Sequence, residues 1–385
     1  MWTLRDKYAI AGVGFTAYSK NSGTTVLDLA QEACRNAVAD AGLTVDAVDG
    51  LVCFTFNDSV PVISVATALG LPGTRFAVDI QGGGNVANQV VQTAAMAIEA
   101  GLAETVLVYR AMNGRSGFRL GGGREMHAYG FSQYTAPFGW ISYPQAMAMW
   151  CQRHMIEYGT TSEQLGRVAV ACRANAAKNE RAMMREPMTL ADHQASRMIV
   201  EPFHLLDICL ETDGACALLV TSAERARDLA KPPVYISGAA YGGGPNQGDD
   251  LFDAIRWPDL SHNYARYIAD ELWAGAGVGP EDVDIAEIYD CFTYSVLSQL
   301  EGFGFCGEGE GGAFVEDGNL DGGGGFAFNT HGGLLSEAYI HGLNHVVEAV
   351  EQLRGEAGPR QVLDAEIALT TAGAMTCGSA LVLRN

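Results

Sequence analysis

The chain repeats a series of sequence blocks in the same order, once in each half. Each series begins with a β-branched strand pattern that closes on glycine and continues into an amphipathic helical pattern. The matched pairs are 7–20 with 232–244, 44–56 with 279–294, 79–111 with 329–355, and 214–222 with 377–385. This repetition predicts two similar halves, 1–228 and 232–385, which join near Lys231-Pro232-Pro233.

Each half alternates strand and helix patterns, which predicts a mainly parallel sheet covered by helices. Because each sheet of apolar strands needs a partner, we expect an α/β protein whose two halves stack in layers. The first half is longer because of an insertion at about 112–200. The first part of this insertion is rich in glycine and aromatic residues, which favours a loop lining an apolar pocket or a subunit interface. An ordinary surface excursion is the alternative.

The charge and the cysteines restrict the class of protein. A formal net charge of −21 argues against binding to nucleic acid or to an anionic membrane surface, whereas an anionic ligand needs only a local basic patch. The nine cysteines are scattered and include no CxxC motif, as is typical of free thiols in a reducing cytosol. No apolar run approaches the ~20 residues of a membrane span. We therefore expect a cytoplasmic protein.

Gly82, Gly83 and Gly84 form a turn between an apolar strand pattern and an alanine-rich helix pattern. In acyl-transfer enzymes a nucleophilic cysteine often occupies such a turn, because the helix dipole lowers its pKa. Here no Cys, Ser or Thr is adjacent. The turn therefore predicts either an inactive enzyme or one whose chemistry needs no nucleophile.

Together, the repeated halves, the glycine turn and two further blocks resemble the thiolase superfamily. These two blocks are EIYDCFTYSVLSQLEGFGFCGEGEGGAF (287–314) and NTHGGLLSEAYIHGLNHVVEAVEQLRG (329–355). The chain most resembles the lipid-transfer-protein (sterol-carrier-protein-linked) thiolase-like branch, and the resemblance covers nearly its whole length. It implies the thiolase fold, with two α/β halves stacked in αβαβα layers, and a pocket for an acyl-CoA thioester.

The residues that catalyse thiolysis in that superfamily are replaced in this sequence. The position of the nucleophilic cysteine falls on Gly84, and that of the second cysteine on about Ala372. The asparagine of the family's Asn-Glu-Ala-Phe block falls on Tyr289, and the histidine of its Gly-His-Pro block falls on Tyr339. The chain therefore lacks the groups that thiolysis and Claisen condensation require.

Two phenols suit a retro-aldol reaction instead. Cleavage of a β-hydroxy thioester needs a base that removes the hydroxyl proton, donors that stabilise the enolate, and an acid that protonates Cα, but it needs no thiol. We assign Tyr339 as the base and Tyr289 as the acid; rings that only fill the core are the alternative. Because a free tyrosine has a pKa of about 10, we expect a positive potential or hydrogen bonds to lower that of the base.

The glycine turn then acquires a catalytic interpretation. Without side chains at Gly83 and Gly84, we expect a bulky tertiary alcohol to approach where thiolases carry their cysteine. The N–H groups of Gly83, Gly84 and Asn85 are candidates to face the developing negative charge. Glycines that only allow close packing at a strand–helix turn are the alternative.

Three further side chains are candidates to support the site. His331 occupies a thiolase asparagine position and is a candidate donor to the thioester oxygen, or a structural histidine. Asp290 either caps a turn or holds a neighbouring group, and Tyr241 is placed to reach the pocket from the first turn of the second half. We predict no metal site, since His154 and Glu157 have no further ligand motif nearby.

The resemblance also implies a substrate and a partner. Members of this branch without the cysteines resemble the aldolases that shorten steroid side chains, which implies a 17-hydroxy steroid acyl-CoA cleaved to a 17-ketosteroid and propionyl-CoA, with no cofactor beyond substrate CoA. The same resemblance implies a homodimer and a small OB-fold, zinc-ribbon partner that helps to hold the CoA. Local alternatives for the CoA are Arg115, Arg119 and Arg124.

Two rival functions remain open on the sequence alone. One is an acyl-CoA thiolase or acyltransferase that uses an unusual cysteine such as Cys291. The other is a non-catalytic lipid or acyl-CoA carrier in which the tyrosines only line a pocket.

Overall fold

The computed structural model describes residues 2–117, 119, 133–247, 257, 259–323 and 325–385. The strands are β1 (Tyr8–Phe15), β2 (Gly50–Thr55), β3 (Phe76–Gln81), β4 (Thr105–Asn113), β5 (Met198–Val200), β6 (Phe203–His204), β7 (Asp213–Ser222), β8 (Val234–Gly243), β9 (Ile285–Glu287), β10 (Ala327–Phe328), β11 (Ile367–Gly373) and β12 (Cys377–Arg384). The helices are α1 (Val26–Asp40), α2 (Val62–Leu69), α3 (Gln89–Glu99), α4 (Tyr143–Tyr158), α5 (Ser162–Ala176), α6 (Leu190–Ala195), α7 (Ala223–Ala226), α8 (Ala265–Ala276), α9 (Thr293–Phe303), α10 (Gly311–Glu316), α11 (Gly333–Ser336) and α12 (Leu343–Leu353).

The two halves have the same strand order. The first half runs β3-β2-β4-β7-β1 and the second β10-β9-β11-β12-β8, so each strand occupies the place of its sequence repeat. The halves meet at an antiparallel pairing of β1 with β8, through Ala9 with Tyr235 and Ile10 with Val234. The internal repetition of the sequence is therefore a repetition of topology.

Each half is a mixed sheet, so the expectation of a mainly parallel one was wrong. In the first half β2 pairs in parallel with β3 and β4, whereas β7 is antiparallel to β4 and β1. The second half repeats this pattern. One reason is visible at β11 and β12, which are joined by residues 374–376 alone, because so short a connection allows only antiparallel pairing.

The predicted αβαβα layering is confirmed. Alternate residues of the first-half strands point to opposite faces: Leu51 and Cys53 pack under α1 and α2, whereas Val52 and Phe54 join the core between the sheets. Helices α3 and α12 lie in that central layer, since each contacts strands of both halves. Helix α1 covers the first sheet from outside, and α8 covers the second.

Asn88, just before α3, ties the central layer to the second half. Its side-chain amide donates to the backbone oxygens of Thr370 on β11 and Ser379 on β12, at 3.0 and 3.3 Å. The segments that follow β3 and β9 also meet, since Gly84 lies against Tyr289.

The segment between β4 and β7 contains helices α4, α5 and α6. Residues 120–132 of the predicted glycine- and aromatic-rich loop lie outside the described residues. Lys231-Pro232-Pro233 lies between α7 and β8. Within the described part of the chain, no helix has the length and apolar character needed to cross a bilayer.

Candidate active site

Two phenol hydroxyls meet where the two halves approach each other. Oη of Tyr289 lies 3.0 Å from Oη of Tyr339, and the ring centroids are 6.5 Å apart at 60°. Tyr289 is almost fully buried and Tyr339 is partly exposed. The two side chains predicted to act together are therefore in direct contact.

The backbone of Tyr289 is held on both sides. Its N–H donates to Oγ1 of Thr371 on β11 at 2.8 Å, and its carbonyl accepts from Nε2 of Gln299 on α9 at 2.8 Å. Thr371 also donates to Oε1 of Gln299 at 2.7 Å, which closes the ring of contacts. All three residues are buried, so the phenol is carried by a rigid segment.

Tyr339 lies in the connection between α11 and α12, and its N–H donates to Oγ1 of Thr212 at 3.1 Å. The start of α11 is fixed by Asp290, whose carboxylate oxygens accept from the N–H groups of Leu334 and Leu335 at 2.8 and 3.2 Å. Asp290 therefore has the capping role foreseen as one of its two possibilities. Asp290 directly follows Tyr289 in sequence, and its carboxylate fixes the start of the segment that leads to Tyr339.

Gly84 leaves room for Tyr289 rather than for a substrate. A Cβ at this position would overlap the hydroxyl of Tyr289, and a Cβ at Gly83 would overlap the ring of Phe56. The prediction that a tertiary alcohol enters the space above these glycines was therefore wrong, because aromatic side chains already fill it. The ring of Tyr289 also lies close to Gly342, whose φ is +86°.

The backbone N–H groups of the glycine turn differ from one another. The N–H of Gly83 donates to Oδ1 of Asn85 at 3.0 Å, so its predicted role facing substrate charge is not supported. Within the described residues, the N–H groups of Gly84 and Asn85 make no hydrogen bond. Gly84 itself lies against Tyr289, since a Cβ at this position would overlap that hydroxyl.

A buried cation behind Tyr339 was missed by the sequence analysis. The ring of Tyr339 packs edge-on against that of His341, with centroids 4.7 Å apart. Nδ1 of His341 accepts from Nε and Nη2 of Arg110 at 3.1 and 2.9 Å, and Nη2 of Arg110 also lies 2.5 Å from Oδ2 of Asp58. An arginine within the apolar strand pattern TVLVYRAMN was the signal in the sequence, since a buried arginine needs a partner.

The charge states within this group follow from its contacts. Burial raises the pKa of Asp58, but Arg110 and His341 outweigh that effect and lower it to about 2. Burial and the neighbouring guanidinium of Arg110 lower the pKa of His341 to about 3. At neutral pH the group is therefore an Asp–Arg ion pair that donates to a neutral imidazole.

Burial raises the pKa of both phenols well above the usual value, contrary to the expectation of a lowered pKa for the base. Two smaller effects distinguish them. The hydrogen bond between the phenols lowers the pKa of Tyr339 and raises that of Tyr289, and Arg110 lowers that of Tyr339 further. The pKa of Tyr339 nevertheless stays well above the usual value, since burial outweighs these two effects.

The remaining predicted side chains lie apart from the phenols. His331 is fully buried, with Nδ1 2.9 Å from Oε2 of Glu287 and Nε2 3.6 Å from Oε2 of Glu337, so its predicted donation to a thioester oxygen is not supported. Tyr241 lies on β8 opposite Ser379 and is 38% exposed, whereas Tyr289 is 3% exposed.

Two of the arginines considered for CoA binding are paired with a carboxylate. Oε2 of Glu211 lies 3.9 Å from Nε of Arg115 and 2.7 Å from Nε of Arg119. Arg124 lies outside the described residues.

Known proteins with the same fold carry related activities. The thiolase C-terminal domain-like family model matches residues 249–385. The chain is 47% identical to the steroid side-chain-cleaving aldolase of Thermomonospora curvata, over all of this chain and 99% of that protein. It is 44% identical to the 17-hydroxy-3-oxo-4-pregnene-20-carboxyl-CoA lyase of Mycobacterium tuberculosis, over 99% of this chain and all of that protein.

A solved structure of the Ltp2-ChsH2(DUF35) aldolase superposes with a TM-score of 0.92 at 46% identity, covering 99% of this chain and 98% of that one. The sequence comparisons and the structural superposition thus both match this chain to such aldolases over nearly its full length. The chain belongs to the thiolase-like family of steroid side-chain-cleaving aldolases.

Proposed function

We propose that this chain cleaves the Cα–Cβ bond of a β-hydroxy acyl-CoA that carries a bulky steroid group, with Tyr339 as base and Tyr289 as acid. The observation that supports this mechanism is the 3.0 Å contact between the two hydroxyls at a turn that has no nucleophile. Its substrate is a 17-hydroxy steroid with a short side-chain CoA thioester, and its products are a 17-ketosteroid and propionyl-CoA.

The reaction begins at the tertiary hydroxyl group. Oη of Tyr339 takes its proton, the Cβ–O bond becomes a carbonyl, and the Cα–Cβ bonding electrons move into the thioester as an enolate. Arg110, which lowers the pKa of Tyr339, favours the phenolate that this step needs. Positioned acid–base groups contribute roughly 10²–10⁴ to a rate, so the enolate also needs electrostatic stabilisation.

The N–H groups of Gly84 and Asn85 are the donors we assign to the enolate oxygen. They make no hydrogen bond within the described residues, and Gly84 lies against the ring of Tyr289. Removal of one preorganised donor from an oxyanion hole lowers kcat by about 10²–10³.

Tyr289 completes the reaction by donating its proton to Cα. At that point Tyr339 has gained one proton and Tyr289 has lost one. The hydrogen bond between their oxygens lets the proton return directly from Tyr339 to Tyr289, so the pair is restored without a further group. Because the cleavage is redox-neutral, we propose no cofactor beyond the CoA of the substrate.

We further propose that the chain works in the cytoplasm as a homodimer flanked by two copies of a small OB-fold, zinc-ribbon protein that holds the CoA. The solved Ltp2-ChsH2(DUF35) aldolase supports a second component. The net charge of −21 and the pairing of Arg115 and Arg119 with Glu211 support the need for basic groups from elsewhere.

The test is to incubate the purified chain, with and without the co-expressed small protein, with 17-hydroxy-3-oxo-4-pregnene-20-carboxyl-CoA. We expect equimolar 17-ketosteroid and propionyl-CoA by mass spectrometry. Tight binding of the substrate without cleavage, in the presence of the partner, would indicate a carrier instead. Loss of activity on alkylation by iodoacetamide, prevented by acyl-CoA, would indicate a cysteine-dependent acyltransferase.

A further inference from the structure

Close to the segment that carries Tyr289, three side chains each bring one possible ligand atom into the same buried cluster. Glu287, His331 and His345 are fully buried, and these atoms all lie within 4.8 Å of one another. Oε2 of Glu287 lies 2.9 Å from Nδ1 of His331 and 3.6 Å from Nδ1 of His345. Zinc–ligand bonds of about 2.0–2.1 Å at tetrahedral angles place ligand atoms roughly 3.3 Å apart, which lies between these two distances.

The polar atoms at this centre contact one another without well-formed hydrogen bonds. Within the described residues, no contact with hydrogen-bond geometry is made by the ring nitrogens of His331 and His345 or by Oε2 of Glu287, although all are buried and Nδ1 of His331 lies 2.9 Å from that oxygen. The other oxygen of Glu287 accepts from N and Oγ1 of Thr330 at 3.1 and 2.8 Å, so the carboxylate is oriented with its free oxygen towards the two rings. Buried polar groups without partners are rare in folded proteins.

The far nitrogen of each histidine faces a second carboxylate. Nε2 of His331 lies 3.6 Å from Oε2 of Glu337, and Nε2 of His345 lies 3.4 Å from Oδ1 of Asp290. Metal-bound histidines commonly have a carboxylate behind the ring in this way, which sets the tautomer and the ring orientation.

The surrounding charge also favours a cation. Two guanidinium groups neighbour five carboxylates, a formal charge of −3 when both histidines are neutral. These groups are Arg181, Arg360, Glu287, Asp290, Glu337, Glu348 and Glu351. The two arginines contact only the last three carboxylates, which leaves Glu287 and Asp290 facing the histidines without an arginine or lysine among the described residues. Uncompensated buried charge is costly. Burial lowers the pKa of His331, but Glu337 and Glu287 outweigh that effect and raise it to about 9, so either a proton on this imidazole or a bound cation supplies the compensating charge.

We propose that Glu287, His331 and His345 bind one divalent transition-metal ion of the zinc class. Two imidazoles and one carboxylate form a donor set that zinc takes in proteins, whereas magnesium and calcium prefer oxygen ligands throughout. The ion joins β9, the segment before α11, and α12. The ring of His345 lies 6.4 Å from that of Tyr289. The bound ion would therefore stabilise the segment that carries this phenol without contacting the reacting atoms.

No metal motif is evident in the sequence, because the three ligands come from three separate segments. The sequence analysis predicted no metal site, and the present proposal replaces that prediction. The histidine weighed there, His154, has a contact at each ring nitrogen in the structure. Its nitrogens lie 2.9 Å from Oγ1 of Thr160 and 3.0 Å from Oε1 of Glu301. His154 is therefore a matched buried histidine for a control.

The test measures metal in the full chain, co-expressed with its partner in zinc-supplemented medium and purified without a polyhistidine tag. The partner is then separated, so that its own zinc is not counted, and metal per chain is determined by mass spectrometry. We expect one equivalent in the wild type and in His154→Gln, and at least a tenfold lower content in His345→Gln. Growth with Co²⁺ should give the wild-type chain visible d–d absorption bands that are absent from His345→Gln.

A folded wild-type chain without stoichiometric metal would overturn the proposal, and so would equal metal content in wild type and His345→Gln. The wild-type measurement needs no variant to fold. Metal content and Co²⁺ absorption do not depend on turnover. A failure of the metal proposal can therefore be distinguished from a failure of the proposed retro-aldol reaction.

Discussion

The hydroxyl of Tyr289 occupies the space that a side chain at residue 84 would need. The absence of a nucleophile on the glycine turn and the presence of the phenol are therefore one structural feature rather than two. Any side chain at residue 84 must displace the acid that we assign to the reaction. The φ of Gly84 is not positive, so its backbone conformation does not require glycine. The position of Tyr289 explains the glycine instead, because it leaves no room for a side chain.

Gly84→Ala tests that relationship. The added methyl group must push Tyr289 away from Tyr339, so we expect kcat to fall by about 10² or more, while overpacking costs about 1–3 kcal/mol of stability. Gly73→Ala is the control, since nothing lies within 4 Å of a Cβ there and its φ is not positive. A Gly84→Ala variant with wild-type kcat would contradict the account.

Tyr289→Phe and Tyr339→Phe remove one hydroxyl each and keep the rings. We expect each to lower kcat by roughly 10²–10⁴, because each removes a proton-transfer group, with little change in the denaturation midpoint. Tyr294→Phe is the matched control: this tyrosine is also fully buried, and its hydroxyl has no hydrogen-bond partner in the described residues. Equal losses in all three variants would mean that the phenols only support packing.

Asp58→Asn leaves the buried guanidinium of Arg110 without its counter-charge. Both side chains are at most 1% exposed, so we expect a loss of about 3–5 kcal/mol in the free energy of unfolding. Glu104→Gln serves as the control, because its ion pairs with Arg75 and Arg225 are exposed and such pairs are worth about 0–1 kcal/mol. Urea denaturation of the wild type, Asp58→Asn and Glu104→Gln measures the loss of unfolding free energy in each variant. Similar small losses would show that the buried pair is not essential.

The pH dependence of kcat/KM reports on the base. Burial raises the pKa of Tyr339 well above its usual value, so the phenolate fraction increases with pH throughout the neutral range. Below that pKa, activity should rise about tenfold per pH unit, without a plateau before the usual tyrosine pKa of about 10. A profile that is level across this range in the wild type would assign the base to another group.

The repeat made the fold predictable, because each block of sequence in one half has its counterpart at the same place in the other. The mixed pairing of the strands was not predicted, since strand patterns do not reveal that only residues 374–376 connect β11 to β12. The Tyr289–Tyr339 pair was identified by aligning family motifs, which places residues that are distant in sequence at one site.

Three other features of the site could not be predicted, because they depend on contacts between residues that are distant in the sequence. Arg110 and His341 are 231 residues apart, and although each lies in a repeated block, the sequence analysis assigned a role to neither. The space above Gly84 was assigned to substrate because the sequence does not show which way the ring of Tyr289 points. His331 was placed in the pocket for a similar reason, whereas its nitrogens face carboxylates in the core.

The most direct test of the central claim is a double-mutant cycle on kcat with Tyr289→Phe, Tyr339→Phe and the double variant, measured with the steroid acyl-CoA and the partner protein present. If the phenols act as one proton-transferring unit, the double variant should be about as slow as the slower single variant, because groups that act together are not additive. If the two losses multiply, or if either single variant turns over at the wild-type rate, the two hydroxyls do not share the reaction.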